Sequence, residues 1–374
     1  MRAAILTNDL NSFYKPLAEG LSRMLLQLGV KAEVMYEGLD LLDYAYSPKP
    51  FTGDPLRFVS ANVRRFRKKG RQDAFLEHLK TFDLVVVVAN NPFAFIKDRL
   101  SGIERLRSMQ PELPIVQYNY SYLPVAGKGG LYQEYFGQGF GIKAFGMERY
   151  DHYLMVTAST PQPLPAGKQP LSVIGMHFDD GSLYPEQEEF VALLDFPREG
   201  KEAERAVVLN ALERTRTKFI ELSGSYSIPE IRAIYRKSSA YFVAFLESFG
   251  FPICELQACG SLIFSPYESW LYSQSIKEDL ARPGLGSFNE NIRIYGNEPG
   301  KLEDALILAQ STHNPQSVRE TFLSSQGSLF RGGLPELEHF VRSLREKSIT
   351  GQSHKGNASI NDMIDPKDYC PPPY

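Results

Sequence analysis

Apolar residues in the first half of the chain follow two alternating rhythms. Short unbroken runs such as AAILTN, DLVVVVAN (Asp83–Asn90) and PIVQYNY have the length and β-branched content of strands buried on both faces. Between them, apolar positions recur every three to four residues. The stretch KPLAEGLSRMLLQLG carries Leu17, Leu21, Leu25 and Leu28 and stops at Gly29, where a glycine can close a helix. KAEVMYEG and YDHYLMVTAS read as further strands, and SGIERLRSMQPEL as a helix. This strand–helix–strand succession predicts a doubly wound α/β domain.

The rhythm breaks at STPQPLPAGKQP (Ser159–Pro170), whose four prolines and lack of periodicity predict a linker near a domain boundary. The alternation then resumes. EFVALLDFP, KFIELSG, AYFVAFL and SLIFSP read as strands, and KEAERAVVLNALERT, IPEIRAIYRKS, PICELQACG and KLEDALILAQ as helices. A second doubly wound domain follows the first. The expected division is a first domain over 1–165 and a second over 166–347, with the last helices free to pack back on the first. The polar, proline-rich stretch 348–374 is expected as a mobile tail.

The 374 residues suit two domains, with 43% hydrophobic and 23% charged residues as in ordinary globular proteins. A net charge of -3 argues against general nucleic-acid binding. The three cysteines, Cys254, Cys259 and Cys370, form no disulfide framework and no CxxC pair. A reducing, cytoplasmic compartment is the default expectation. The N-terminus lacks the long apolar run of a signal peptide, and no stretch approaches the roughly 18 apolar residues of a membrane span. The six histidines are scattered, and Asp179–Asp180 in FDDG read as a turn, so no metal site and no cofactor are expected. The segment Arg57–Arg71 carries seven Lys/Arg, no acid, and Phe58, Val59, Val63 and Phe66 at roughly helical spacing. Such a helix is either a solvated basic face or a peripheral contact with an anionic inner membrane surface.

The densest candidate chemistry lies in ESFGFPICE, from Glu247 to Glu255. The preceding strand AYFVAFL ends at Leu246, so Glu247 emerges at the carboxyl edge of a sheet, where ligands of open α/β folds bind. Gly250 permits a sharp turn. Phe251 is read as the N-cap and Pro252 as the first helical residue. A phenylalanine offers no side-chain oxygen to the first-turn N–H groups, which an anion could use instead. Glu255 is then placed in the first turn, where its carboxylate could accept hydrogen bonds from a vicinal diol such as a ribose. Acids near a helix start are more often plain dipole partners, and spacing alone leaves both readings open.

ESFGFPICELQACGSLIF closely resembles the E-x7-E segment of retaining GT-B glycosyltransferases of the family 4-like, group 1 type. IPEIRAIYRKSSAYFVAF resembles the helix and strand before that motif, and VIGMHFDDGSLYP and YDHYLMVTAS resemble the segments around the interdomain crossing. The resemblance is good from about Asp151 to Gly260 and loose before that. It implies two Rossmann-like domains facing across a cleft, a nucleotide-diphosphate sugar as donor, and transfer to the hydroxyl of a glycan, lipid-linked or small-molecule acceptor without a metal. By the same resemblance, Glu247 contacts the donor sugar and Glu255 the ribose. Ser248, Phe249, Gly250 and Phe251 lie near the diphosphate and sugar.

The family also uses an arginine and a lysine after the first strand of the second domain. Here LLDFPREGKEAER places Lys201 at the lysine, with Asp195 and Phe196 where a glycine and the arginine are usual. Arg198 is a nearby substitute. Asn11, Asn119 and Tyr120 are the candidates on the acceptor side, in a region that departs from the family's glycine-rich loop and histidine. An oxidoreductase is disfavoured because LTNDLNSF, not GxGxxG, follows the first strand. A non-catalytic binder of sugar nucleotide or glycan is the remaining alternative.

Overall fold

A computed structural model describes residues 1–7, 14–42, 55–88, 100–119, 150–157, 170–243, 250–266, 288–296 and 300–361. The expected linker 159–170 lies outside these residues except at Pro170, as do Asn11, Tyr120, Glu247, Ser248 and Phe249. The chain divides into two compact units. One is built from Met1–Ala158, Pro163–His177 and Gly332–Cys370, the other on Phe178–Arg331.

The first unit holds a six-stranded sheet in the order β2-β1-β3-β4-β5-β6, every neighbouring pair parallel. Its strands are β1 (Arg2–Leu6), β2 (Lys31–Met35), β3 (Leu84–Val88), β4 (Ile115–Asn119), β5 (His152–Met155) and β6 (Leu171–Val173). All residues of β3, β4 and β5 are buried, because parallel sheets are covered on both faces. Helix α1 (Tyr14–Gln27) buries Leu17, Leu21, Met24 and Leu25. It ends at Gly29, with φ 71°. Gly29 N–H bonds Leu26 O at 3.0 Å and Val30 N–H bonds Leu25 O at 2.9 Å, the paired bonds of a Schellman motif that only the glycine's left-handed backbone permits cheaply.

Helices α2 (Gly38–Leu42), α3 (Pro55–Leu79) and α4 (Leu100–Met109) follow. The basic segment 57–71 is thus part of a longer helix. The far end of α3 is anchored by buried Leu76 and Leu79 and by a hydrogen bond from Gln72 Nε2 to Leu41 O at 2.9 Å. No helix among the described residues is long and apolar enough to cross a membrane.

The second unit holds β7 (Val191–Leu194), α5 (Glu202–Arg214), β8 (Lys218–Glu221), α6 (Ile228–Lys237), β9 (Ala240–Phe242), α7 (Phe251–Ala258), β10 (Leu262–Ser265) and β11 (Ile292–Ile294). Helices α8 (Lys301–Thr312), α9 (Pro315–Gln326) and α10 (Ser328–Arg331) complete it. Its sheet runs β11-β10-β9-β7-β8, again all parallel. Ala192, Leu194, Phe242, Phe264, Leu212 and Leu306 form its core with their neighbours.

The end of the chain differs from its expected form as a mobile tail over 348–374. After α10 it re-enters the first unit as α11 (Leu334–Arg345) and α12 (His354–Asn361). Phe340 of α11 stacks on His152 with centroids 5.1 Å apart. Asp151, with its side chain wholly buried, accepts from Ile115 N at 2.8 Å, Arg107 Nη1 at 3.0 Å, and both His354 N and His354 Nδ1 at 2.9 Å. Asn357 Nδ2 donates to Tyr150 O at 2.8 Å. The polarity read as a sign of mobility instead satisfies buried groups. Residues 362–374 lie outside the described part.

Asp151→Ala should therefore destabilise the protein by on the order of 3–5 kcal/mol, since it removes the carboxylate from beside the Arg107 guanidinium and takes the acceptor from the Ile115 and His354 N–H groups. Urea unfolding followed by circular dichroism measures this, and a variant as stable as wild type would show that the cluster carries no stabilising weight.

Candidate functional site

In the second unit, β8 lies on one side of β7, while β9, β10 and β11 build outward on the other. The winding direction reverses between β7 and β9, the two strands whose following loops carry the candidates. Open α/β sheets bind ligands at such a switch point. The candidate residues of this unit that fall within the described part come from these two loops and from the helices that follow them.

The loop after β7 begins at Asp195, which is 5% exposed, and runs to Lys201, the N-cap of α5. Arg205 on α5 straps the loop down, donating to Asp195 O at 2.7 Å and to Glu221 Oε2 at 2.6 Å. Lys201 N bonds Arg198 O at 3.2 Å, so the two candidate cations share one turn. Both already have acidic company. Lys201 Nζ donates to Glu204 Oε1 at 3.0 Å, which holds the Glu204 carboxyl below its usual range. Arg198 Nη2 lies 3.8 Å from Asp195 Oδ2. That Oδ2 is buried and accepts no hydrogen bond among the described residues. Burial pushes the Asp195 carboxyl up, against the Phe196 N–H, Arg198, the Tyr241 hydroxyl and Arg205, which pull it down. Phe196 itself is half-buried with its ring 6.1 Å from that of Tyr226, on the loop after β8.

The turn after β9 reaches Gly250, the N-cap of α7, at φ 57° and ψ 105°. This is one residue earlier than the sequence indicates. Phe251 is the first helical residue, not the cap, and Pro252 the second. Both arrangements suit a proline, and only glycine adopts the cap's backbone without strain. Glu255 is consequently the fifth helical residue, beyond the first turn, which contains no acid. The cap has no side-chain hydrogen bond, as expected of a site without a capping oxygen. The Phe251 ring packs on Phe178 at 5.4 Å.

Glu255 does not stand alone. Its Oε1 accepts from Arg232 Nε at 3.0 Å and Arg232 Nη2 at 2.7 Å, and both side chains are 13% exposed. Arg232 Nη1 donates to Asp180 Oδ2 at 2.6 Å and to Ser182 Oγ at 2.9 Å. Glu255 Oε2 makes no hydrogen bond among the described residues. Burial pushes the Glu255 carboxyl up, and Arg232 opposes that push. Tyr235, one turn along α6 from Arg232, is also buried. Its hydroxyl is pushed far up by burial and by the Glu255 and Asp195 carboxylates, which links the two loops electrostatically. Burial, with Glu255, lifts the Cys259 thiol to about 12, so it is no nucleophile at neutral pH.

Asp179 and Asp180 occupy a turn, as the sequence indicates. Asp179 Oδ1 accepts from Gly181 N at 3.2 Å and Asp180 Oδ1 from Ser182 N at 3.0 Å. Among the described residues no group of three potential metal ligands occurs. In the first unit, Asn119 is buried at the carboxyl end of β4, with its carbonyl accepting from Val156 N at 3.0 Å.

Arg232, Ser182, Arg205 and Tyr235 escape the sequence reading as site residues. Arg232 had one available signal: it shares a helix face with the buried Tyr235, three residues away.

No family model matches this chain, and no curated protein is significantly similar in sequence. Solved structures are similar in fold. The catalytic domain of starch synthase IV from Arabidopsis thaliana, bound to ADP and acarbose, superposes with a TM-score of 0.55 at 12% identity, covering 93% of this chain and 99% of that one. UDP-GlcNAc 2-epimerase from Neisseria meningitidis, bound to UDP-GlcNAc, gives a TM-score of 0.49 at 10% identity, covering 93% and 100%. The fold is GT-B: two parallel-sheet α/β domains.

Asp195 yields a prediction with a definite sign. Its carboxyl is raised in the folded state, so its contribution to stability is present at acid pH and is lost as pH rises through the folded value. Asp195→Asn removes that loss and should gain stability relative to wild type between acid and neutral pH. Urea unfolding at several pH values tests this. A difference between the two proteins that does not vary with pH would mean that the carboxyl titrates as in the unfolded chain.

Proposed function

We propose that this protein is a glycosyltransferase that moves a sugar from a nucleoside-diphosphate donor to an acceptor hydroxyl, with retention at the sugar carbon. The observation that carries this reading is Glu255. It is a buried carboxylate on the helix after β9, fixed at Oε1 and unpartnered at Oε2 among the described residues, beside the switch point of a parallel sheet. A carboxylate so placed suits a ribose diol. The Gly250 turn lets the backbone approach a diphosphate closely, and the start of α7 favours its charge.

In this reading the bond from the sugar carbon to the diphosphate oxygen breaks, and the diphosphate leaves with the electron pair. Lys201 and Arg198 stabilise the growing negative charge. The acceptor oxygen bonds to the sugar carbon on the face the diphosphate vacates, and the acceptor proton passes to the departing phosphate oxygen. Glu247, placed at the sugar by the sequence resemblance, stabilises positive charge on the ring. Ser248 and Phe249 belong to the same turn by that resemblance, and Asn119, Tyr120 and Asn11 are proposed for the acceptor side. Retention also rests on the resemblance. No metal or other cofactor is required in this scheme. The basic part of α3, over 57–71, would bring the enzyme to an anionic membrane surface if the acceptor is lipid-linked.

One observation favours a second reading, a non-catalytic binder of the same ligands. Asp195 and Phe196 stand where a glycine and an arginine are usual, and Lys201 is paired with Glu204, so the phosphate clamp has less free positive charge. Turnover separates the two readings. A thermal-shift panel of UDP-, GDP-, ADP- and CMP-sugars identifies the donor, since a ligand at 100 times its dissociation constant adds about 2.7 kcal/mol. A protein that binds one of these donors yet transfers nothing across a broad acceptor panel is the binder.

Two variants probe the roles. Glu247→Gln should spare nucleoside-diphosphate affinity and lower kcat by roughly 10²-fold or more, because the ring charge it meets exists chiefly in the transition state. Lys201→Ala should lower kcat at least as strongly as it raises the donor KM. Steady-state kinetics on the donor found by the panel reads both, and wild-type kcat in either variant removes that residue from the chemistry.

A further inference from the structure

The guanidinium beside Glu255 has no role in the site as read so far. Arg232 is 23 residues away in sequence and on a different helix. It spends two donors, Nε and Nη2, on a single oxygen of Glu255, at 3.0 and 2.7 Å. Its remaining nitrogen, Nη1, is held by Asp180 Oδ2 at 2.6 Å and Ser182 Oγ at 2.9 Å. Asp180 is itself fixed by the Ser182 N–H and hydroxyl, at 3.0 and 2.6 Å. The chain of contacts runs from a locked turn through a rigid planar fork to one oxygen of the carboxylate. The pair leaves Oε2 without a partner among the described residues.

We propose that Arg232 is a positioning residue for ribose recognition: it fixes Glu255 through Oε1 and so leaves Oε2 as the acceptor for the ribose hydroxyls. This rests on the nucleotide-site reading above. Arg232 has a second effect. Burial favours the protonated acid at Glu255, which would give up acceptor capacity, and the guanidinium opposes this. The charged and titratable groups that act on Glu255 or feel it are Arg232 and Tyr235 on α6, Asp180 in the turn and Cys259 at the end of α7; β10 offers none. Arg232 alone among these donates to the Glu255 carboxylate.

The test compares wild type, Arg232→Gln and Arg232→Lys. Calorimetry measures affinity for UDP, GDP and ADP, each against its 2′-deoxy counterpart, at about pH 6 and about pH 8. Carbon-13 NMR of labelled glutamate follows the Glu255 carboxyl in the ligand-free protein, assigned by its disappearance in Glu255→Gln. In Arg232→Gln the ribose-over-deoxyribose preference should fall roughly tenfold or more at the lower pH, as expected for loss of a charge-assisted contact. It should recover partly at the higher pH, and the Glu255 titration should move upward.

Arg232→Lys keeps the charge but cannot make both bonds from one planar fork. It should hold the titration near wild type while losing part of the ribose preference, and it decides the matter should Arg232→Gln not fold. Wild-type protein that prefers ribose, with variants showing the same preference and the same pH profile, overturns the role of Arg232 alone. Wild-type protein that binds none of the three ribonucleotides overturns the nucleotide-site reading itself.

Discussion

Parallel strand pairing is the constraint on which the rest of this structure depends. Every neighbouring pair in both sheets is parallel, so each return from one strand to the next must cross over the sheet, mostly as a helix. The crossovers bury both faces, and all loops that follow strands collect at one edge. Residues as distant in sequence as Lys201 and Gly250 therefore share that edge in the second unit, without any direct bond between them. The reversal of winding between β7 and β9 sets the switch point of the sheet between those two strands.

What occupies that edge is unusually acidic for a site read as binding a diphosphate. Asp195 and Glu255 are both buried and both shifted toward the neutral acid. Buried carboxylates are tolerated only when hydrogen bonds or cations compensate them, and each has its own supplier. Arg205 holds the backbone at Asp195, with Arg198 nearby, and Arg232 holds Glu255. Tyr235 lies where both carboxylates act on it. The site thus depends on arginines from two helices, α5 and α6, that a motif centred on ESFGFPICE does not contain.

The two-domain α/β architecture was legible because a strand buried on both faces writes an unbroken apolar run, as in Leu84–Val88, and a covering helix writes a stripe, as in Leu17, Leu21 and Leu25. Short elements were not legible: β6 and β11 have three residues each, too few for any period to show. Helix α9 was missed because it lacks a strong apolar stripe, although Asn314 caps Ser317 N at 3.1 Å and Pro315 sits in its first turn. In the site, the glycine of the turn was legible, while the phase of α7 slipped by one residue because proline suits its first and second positions alike. The Arg232–Glu255 contact joins separate helices by tertiary packing, which local pattern does not encode. Polarity misled at the chain's end, where His354 and Asn357 look solvated in sequence but serve the buried backbone and carboxyl of Tyr150 and Asp151.

The return of the chain to its first unit has a consequence for synthesis. The second unit is continuous from Phe178 to Arg331, whereas the first needs Gly332 onward to cover its sheet and satisfy Asp151. On the ribosome the N-terminal strands emerge first, yet their unit waits for α11 and α12, while the inserted one can close as soon as its own residues clear the exit tunnel. Domains generally fold as units during translation, and here the later-made unit is the one able to finish first. Meanwhile the face that Phe340 will cover stays bare until α11 has been made.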